Sequence, residues 1–429
     1  MSASEPQPAP AARLVEHFFR HESGRLAAVL VRLFGWRHAD LVDDMIQAAL
    51  VEAMQAWRAQ GPPDNPAAWV HRVAKNKLLD ALRHRDTVVR LAPAWAQLRP
   101  ASVGPELDDL FLDSEIADSQ LRMIFACCHP SLARENQIAL TLKTLCGFNN
   151  AEIGRGLLVP EETAKKRVQR ARRQLIDQQV ALDVPAADAL AARLDAVHQC
   201  LYLLFNEGYA ATSGEVAIRR DLCEEAARLC HLLTAHERCR SPATHALLAL
   251  MLFHAARFNA RTDEAGRLLL LEDQDRGLWD ARLIGEARWH LDASAEGRAV
   301  SPYHLEAGIA FLHTSAPSFA ATDWPGIVRL YDALLLRDSS PLCRLNRAIA
   351  VAHLSGPAAG LQAIEPLLAD SSLQAYHLLH ATLGELHRRA DDLPSARRHL
   401  ERAIELTQSA ADQELLRRRL ALCGSPRSD

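Results

Sequence analysis

A chain of 429 residues with 49% apolar and 24% charged residues has the balance of globular domains, and at roughly 100–200 residues each it holds about two to four of them. The formal charge of −4 excludes a uniformly basic nucleic-acid binder. Basic residues nevertheless concentrate in the N-terminal half, and acidic runs such as Glu272, Asp273 and Asp275 lie in the other, so local sign counts for more than the sum.

No uninterrupted apolar stretch reaches the roughly 18 residues of a membrane span, and MSASEPQPAP lacks both regions of a secretory signal, so no membrane contact and a cytoplasmic address are expected. The nine cysteines are scattered without a CxxC grid and read as reduced thiols.

Residues 1–12, rich in Pro, Ser and Ala, read as a loose leader, with structure starting near Arg13. Apolar residues at Leu14, Phe18, Val29 and Leu33, then at Val42, Met45, Ile46, Ala49, Ala53 and Trp57, recur at helical spacing. The break at Gly35-Trp36 splits them into an antiparallel pair of amphipathic helices. The stiff turn from Gly61 to Pro66 follows, where Asn65 is a natural N-cap and Pro66 suits the first helical position. The third helix places Val70, Val73, Ala74, Leu78, Ala81 and Leu82 on one side. Arg72, Lys75, Asn76, Arg83 and Arg85 fall on the other.

The stretch from Leu91 to Ser114, with Pro93, Pro100, Gly104 and Pro105, lacks a sustained stripe and reads as a linker. Helical character resumes at Asp118, runs to about Gln179, and continues after Val184-Pro185 to the end. All-α is the expected fold class.

The strongest local signal is the run from Phe148 to Ile176. Asn149 caps a short helix with Glu152 at its third position, a capping box. A tight turn leads to Pro160 and a second helix with Glu161 and Glu162 at the positive end of its dipole. This is a helix-turn-helix pattern. In the second helix Ala164, Val168, Ala171 and Leu175 form the packing stripe. Thr163, Lys165, Lys166, Arg167, Gln169, Arg170, Arg172 and Arg173 are left facing out, with no carboxylate among them. A solvated face normally mixes both signs, so a one-signed face fits the major groove, where Arg or Lys reads guanine edges and other cations neutralise phosphates.

Together these residues resemble the extracytoplasmic-function sigma factors of the sigma-70 family. Arg167-Val168-Gln169-Arg170-Ala171-Arg172 with its preceding helix is similar to region 4, and Leu41-Val42-Asp43-Asp44-Met45-Ile46-Gln47 and Asn65-Pro66-Ala67-Ala68-Trp69 to region 2. Cys127-Cys128-His129-Pro130, Leu204-Phe205-Asn206-Glu207-Gly208-Tyr209 and Leu271-Glu272-Asp273-Gln274-Asp275-Arg276 resemble the subgroup with a tetratricopeptide-like C-terminal domain. Lys166 stands where most of the family has a small residue.

The resemblance implies region 2 over 13–95, a linker over 96–117, region 4 over 118–180 and a helical extension over 188–429. It implies a non-enzymatic factor that binds core RNA polymerase, through the beta-prime clamp helices and the beta flap, and promoter DNA. Thr163, Lys165, Lys166, Arg167, Arg170 and Arg173 would read the minus 35 element. Asn65, Arg72, Asn76 and Arg83 would hold the melted minus 10 element, and Asp44 and Gln47 would meet polymerase. Trp69 is open between base stacking and core packing.

Within the extension, Leu383-Gly384, His387, Ala396, Leu400 and Ala403 fall at the spacing of a tetratricopeptide-type helix pair. Arg344–Leu367 can be laid beneath it at a period of roughly 34 residues only with slippage, so a single repeat is expected. Cys127, Cys128 and His129 are adjacent on a helix and point apart, and His377, His380 and His387 have no acidic third ligand at a set spacing, so no metal is expected. No phosphate-cradling or nucleophile-elbow motif occurs, and no cofactor is expected. The extension is expected to regulate promoter engagement, its protein partner or ligand left open. The rival readings are a helix-turn-helix regulator with a ligand-sensing domain and a repeat scaffold for other proteins.

Overall fold

The computed structural model describes residues 10–84, 113–157, 159–209, 213–214, 219–297, 299–371 and 373–424. Helices dominate them, and a two-residue parallel strand pair, Ser213–Gly214 with Gln408–Ser409, is the sheet found among the described residues. The all-α expectation holds. The chain divides into two compact units, residues 1–200 and 201–429.

The first unit opens with α1 (Pro10–Phe34), α2 (Ala39–Gln60) and α3 (Pro66–His84). Helix α1 starts at Pro10 rather than near Arg13, since a proline is preorganised for the first helical turn. Leu26 and Leu30 of α1, Val42, Ile46, Ala49 and Ala53 of α2, and Val70, Ala74, Leu78 and Leu82 of α3 are buried together. Each fully buried Leu or Ile contributes about 1.5–3 kcal/mol. Asn65 caps α3, its Oδ1 accepting from Ala68 N at 3.0 Å.

Four helices follow: α4 (Asp113–Cys127), α5 (Arg134–Thr144), α6 (Asn150–Gly156) and α7 (Glu161–Asp177). Helix α4 begins at Asp113, within the stretch expected as linker, and Glu115 in its first turn stands toward the positive end of its dipole. The rest of the expected linker, 96–112, lies outside the described residues. Helix α4 packs on α1, where Arg32 donates to Asp118 and Ser119, both at 3.0 Å. The approach of α1 to the end of α5 is closer still. A Cβ built on Gly24 would stand 2.0 Å from the Leu145 carbonyl oxygen, so only glycine lets these helices meet.

The boundary between units falls inside α8 (Ala187–Tyr209). The second unit then runs through α9 (Arg220–Ala235), α10 (Pro242–Ala255), α11 (Ala281–Ser294), α12 (Pro302–Ser315), α13 (Trp324–Leu335), α14 (Pro341–Ser355), α15 (Pro357–Ile364), α16 (His377–Arg389), α17 (Leu393–Leu406) and α18 (Ala410–Leu422). Helix α10 is buried over every residue from Ala246 to Phe253 and forms the centre on which α9, α11 and α12 pack.

From α12 onward each helix packs on the next in sequence, to the end of α18. Ser241-Pro242, Ser301-Pro302 and Ser340-Pro341 start three of these ten helices, each combining a capping hydroxyl with a proline at the first position. Gly384 packs against Leu400, and Ala396, Leu400 and Ala403 are buried with Leu416 and Ala381. The small residues do let these two helices close, as their spacing suggests.

Candidate nucleic-acid interface

Helix α6 is fixed by its cap. Asn149 Oδ1 accepts from Glu152 N at 2.8 Å while the Glu152 carboxylate accepts from Asn149 N at 2.7 Å, the reciprocal box read from the spacing. The turn to α7 is tight, for a Cβ on Gly154 would lie 2.8 Å from the Val159 carbonyl oxygen. Ala164, Val168, Ala171 and Leu175 of α7 are buried as expected. Lys165, Lys166, Gln169, Arg170 and Arg173 are exposed, and Thr163 and Arg167 are half-buried. Arg173 lies 3.8 Å from Asp177, both well exposed, a pairing that costs the arginine little of its reach.

Arg172 is a correction. It does not face out with its neighbours but is buried at 6% exposure, donating to Asp40 at 2.5 Å and Asp43 at 2.8 Å. Burial disfavours its charge, and Asp43 and Asp40 outweigh that and raise the guanidinium above its ordinary value. Lys143 adds a second cation 3.8 Å from Asp43. Helix α7 is therefore tied to α2 through carboxylates next to Asp44. The tie leaves Lys165, Lys166, Arg167, Arg170 and Arg173 as the cations of the outer face.

On α3, Asn65, Arg72 and Asn76 are exposed. The Asn65 carboxamide oxygen is committed to the cap, so a base contact falls to its NH2 group. Arg83 is in α3, but its side chain lies outside the described residues. Trp69 is half-buried, edge-to-face with Trp57 at 5.9 Å, which favours packing over base stacking. Behind this face His71 and Glu22 form a buried pair at 2.7 Å. Burial alone would raise the Glu22 carboxyl. Hydrogen bonds from His21 and His71, with the charges of His71 and Arg25, overcome this and hold it at about 2.

Asp44 and Gln47 are exposed together on α2, and Val51 and Met54 continue their stripe at 52% and 41% exposure. Sequence reasoning missed these two. The signal was available: Val51 sits four residues beyond Gln47 and Met54 three beyond Val51, off the buried stripe, where an apolar residue has no core to fill.

Residues 18–88 match sigma-70 region 2, residues 122–175 match sigma-70 region 4, and residues 193–295 match a family of unknown function (DUF6596). The chain belongs to the extracytoplasmic-function branch of the sigma-70 family and carries a C-terminal extension. An uncharacterized protein of Rhizobium meliloti (strain 1021) is 36% identical over 398 residues, covering 93% of each chain. The ECF RNA polymerase sigma factor SigE of Mycolicibacterium smegmatis is 26% identical over 38% of this chain and 60% of its own length. The RNA polymerase sigma factor CarQ of Myxococcus xanthus is 26% identical over 32% of this chain and 74% of its own. No solved structure matches. Among the described residues no helix is long and apolar enough to cross a membrane.

Proposed function

We propose that this sigma factor, which binds core RNA polymerase and promoter DNA to direct initiation, divides the work among three surfaces of its first unit. The α7 face, with Thr163, Lys165, Lys166, Arg167, Arg170 and Arg173, reads minus 35 duplex. The α3 face, with Asn65, Arg72, Asn76 and Arg83, holds the melted minus 10 strand, where cations serve phosphates and polar groups serve unstacked bases. The α2 stripe of Asp44, Gln47, Val51 and Met54 docks on the beta-prime clamp helices, and region 4 meets the beta flap. The proposed bounds are 13–95 for region 2, 118–180 for region 4 and 188–429 for the extension, a tetratricopeptide-like domain that regulates promoter engagement in the cytoplasm.

One observation carries this reading: between Thr163 and Arg173 the charged side chains on the outer face of α7 are all cations, on a helix whose other side is packed and whose partner helix is capped. Reconstitution with core polymerase tests it. Arg170→Ala should weaken promoter binding by about 1–3 kcal/mol if it reads a base edge. If it serves a phosphate, the substitution should instead lower the salt slope by about one unit across all sequences. A variant with wild-type affinity, slope and promoter choice would remove α7 from the reading surface.

A further inference from the structure

In the second unit, three neighbouring helices bring together imidazoles and a carboxylate that the sigma-factor chemistry does not use. His231 comes from α9, His245 from α10, and Glu286 and His290 from α11. The last two are four residues apart and so share a helix face. One ligand atom each of His231, Glu286 and His290 lies within 4.8 Å of the others. We propose that these three residues bind a divalent transition ion of the zinc class, bridging α9 and α11 inside the stretch that matches the family of unknown function.

Two nitrogens and one carboxylate oxygen are the donors that borderline ions of this class take, at bond lengths near 2.0–2.2 Å. Ligand atoms around one tetrahedral ion stand about 3.3 Å apart, so the present spacing closes by side-chain rotation alone. His231 is exposed and free to swing, and Glu286 is half-buried and only loosely held, 3.9 Å from Arg282. His290, buried at 2%, is the fixed member.

His245 supplies a second, independent observation. Its Nδ1 lies 2.8 Å from Nδ1 of His290, so one of the two rings donates a proton to the other. With that proton on His290, its Nε2 keeps a lone pair, the state in which a histidine ligates metal while a neighbour orients it. Exposed Trp289 stacks edge-on against His290 at 4.7 Å and against His245 at 5.8 Å, a built-in optical reporter.

The full chain, stripped with a chelator under reducing conditions, would be titrated with zinc against a chromophoric competitor. Cobalt would then replace zinc for spectroscopy. The expected result is one saturable equivalent, a higher unfolding temperature with zinc, and a Trp289 fluorescence change that Trp289→Phe abolishes. His231→Ala, at an exposed position that leaves the fold intact, and Glu286→Gln should each cost well over tenfold in affinity, and His245→Ala about tenfold. His399→Ala, in α17 where the ring stacks on His380 and His387 of α16, both at 5.5 Å, should leave binding unchanged. Absence of saturable binding, wild-type affinity in His231→Ala and Glu286→Gln, loss of binding in His399→Ala, or a thiolate charge-transfer band with cobalt would each overturn the assignment.

Discussion

The outer face of α7 and the interior of the extension use ionisable groups in opposite ways. On α7 the cations Lys165, Lys166, Arg170 and Arg173 are exposed, where salt screens them. In residues 201–429, burial first and then neighbouring cations or imidazoles drive His313, His353 and His399 down to about 4 and His254 to about 3. Among the described residues of 1–200 the comparable group is His198, lowered to about 4 by burial. One part of the molecule is tuned by ionic strength and the other by protons.

The largest expected effect tests that contrast directly. A histidine depressed to about 4 stays neutral in the folded protein, while the unfolded chain takes up its proton near 6.5. The stabilisation is therefore complete above pH 6.5 and drains as pH falls toward 4. At about 1.4 kcal/mol per pKa unit, four such groups remove several kcal/mol from the extension. Glu22 works in a lower window: its carboxyl, held at about 2, gives stability that is full above about 4.5 and is lost only as pH falls toward 2. Acid titration of the full chain, followed by circular dichroism and residue-resolved hydrogen exchange, should show 201–429 opening before 1–200. Simultaneous opening, or the reverse order, would break the comparison.

Smaller effects sharpen it. Gly24→Ala forces a methyl onto the Leu145 carbonyl and should destabilise the first unit by about 1–3 kcal/mol in denaturant unfolding, with the extension unaffected. Arg172→Ala removes the tie from α7 to Asp40 and Asp43. Because the Asp40 side chain is 85% exposed and can rehydrate, about 1–2 kcal/mol is expected, with more hydrogen exchange between α2 and α7. The smallest change is Asn149→Ala, which loses the cap of α6 and about 1 kcal/mol. It should leave the salt slope of DNA binding alone, whereas Lys166→Ala should reduce that slope and leave stability alone.

What could be read from the amino acids and what could not divides by range. The capping box at Asn149 and Glu152, the Asn65 cap and the packing stripe of α7 are local chemistry, visible within one or two helical turns. Arg172 looked like its neighbours because its partners stand 129 and 132 residues away, and nothing nearby marks it as different. Gly24 was silent for the same reason. The histidines and the glutamate of the extension escaped notice because three helices contribute them, so no short spacing announces the group. The exposed Val51 and Met54 were hidden in a stretch whose apolar count alone suggested core.

Gly24 also limits how this protein can vary. No residue is smaller, so from that side the fit between α1 and the end of α5 admits no gradation: the position is either glycine or a clash. Gradual change in how firmly α7 is held to α2 is open instead at Arg172, Asp40 and Asp43, where charge and length can be traded in small steps.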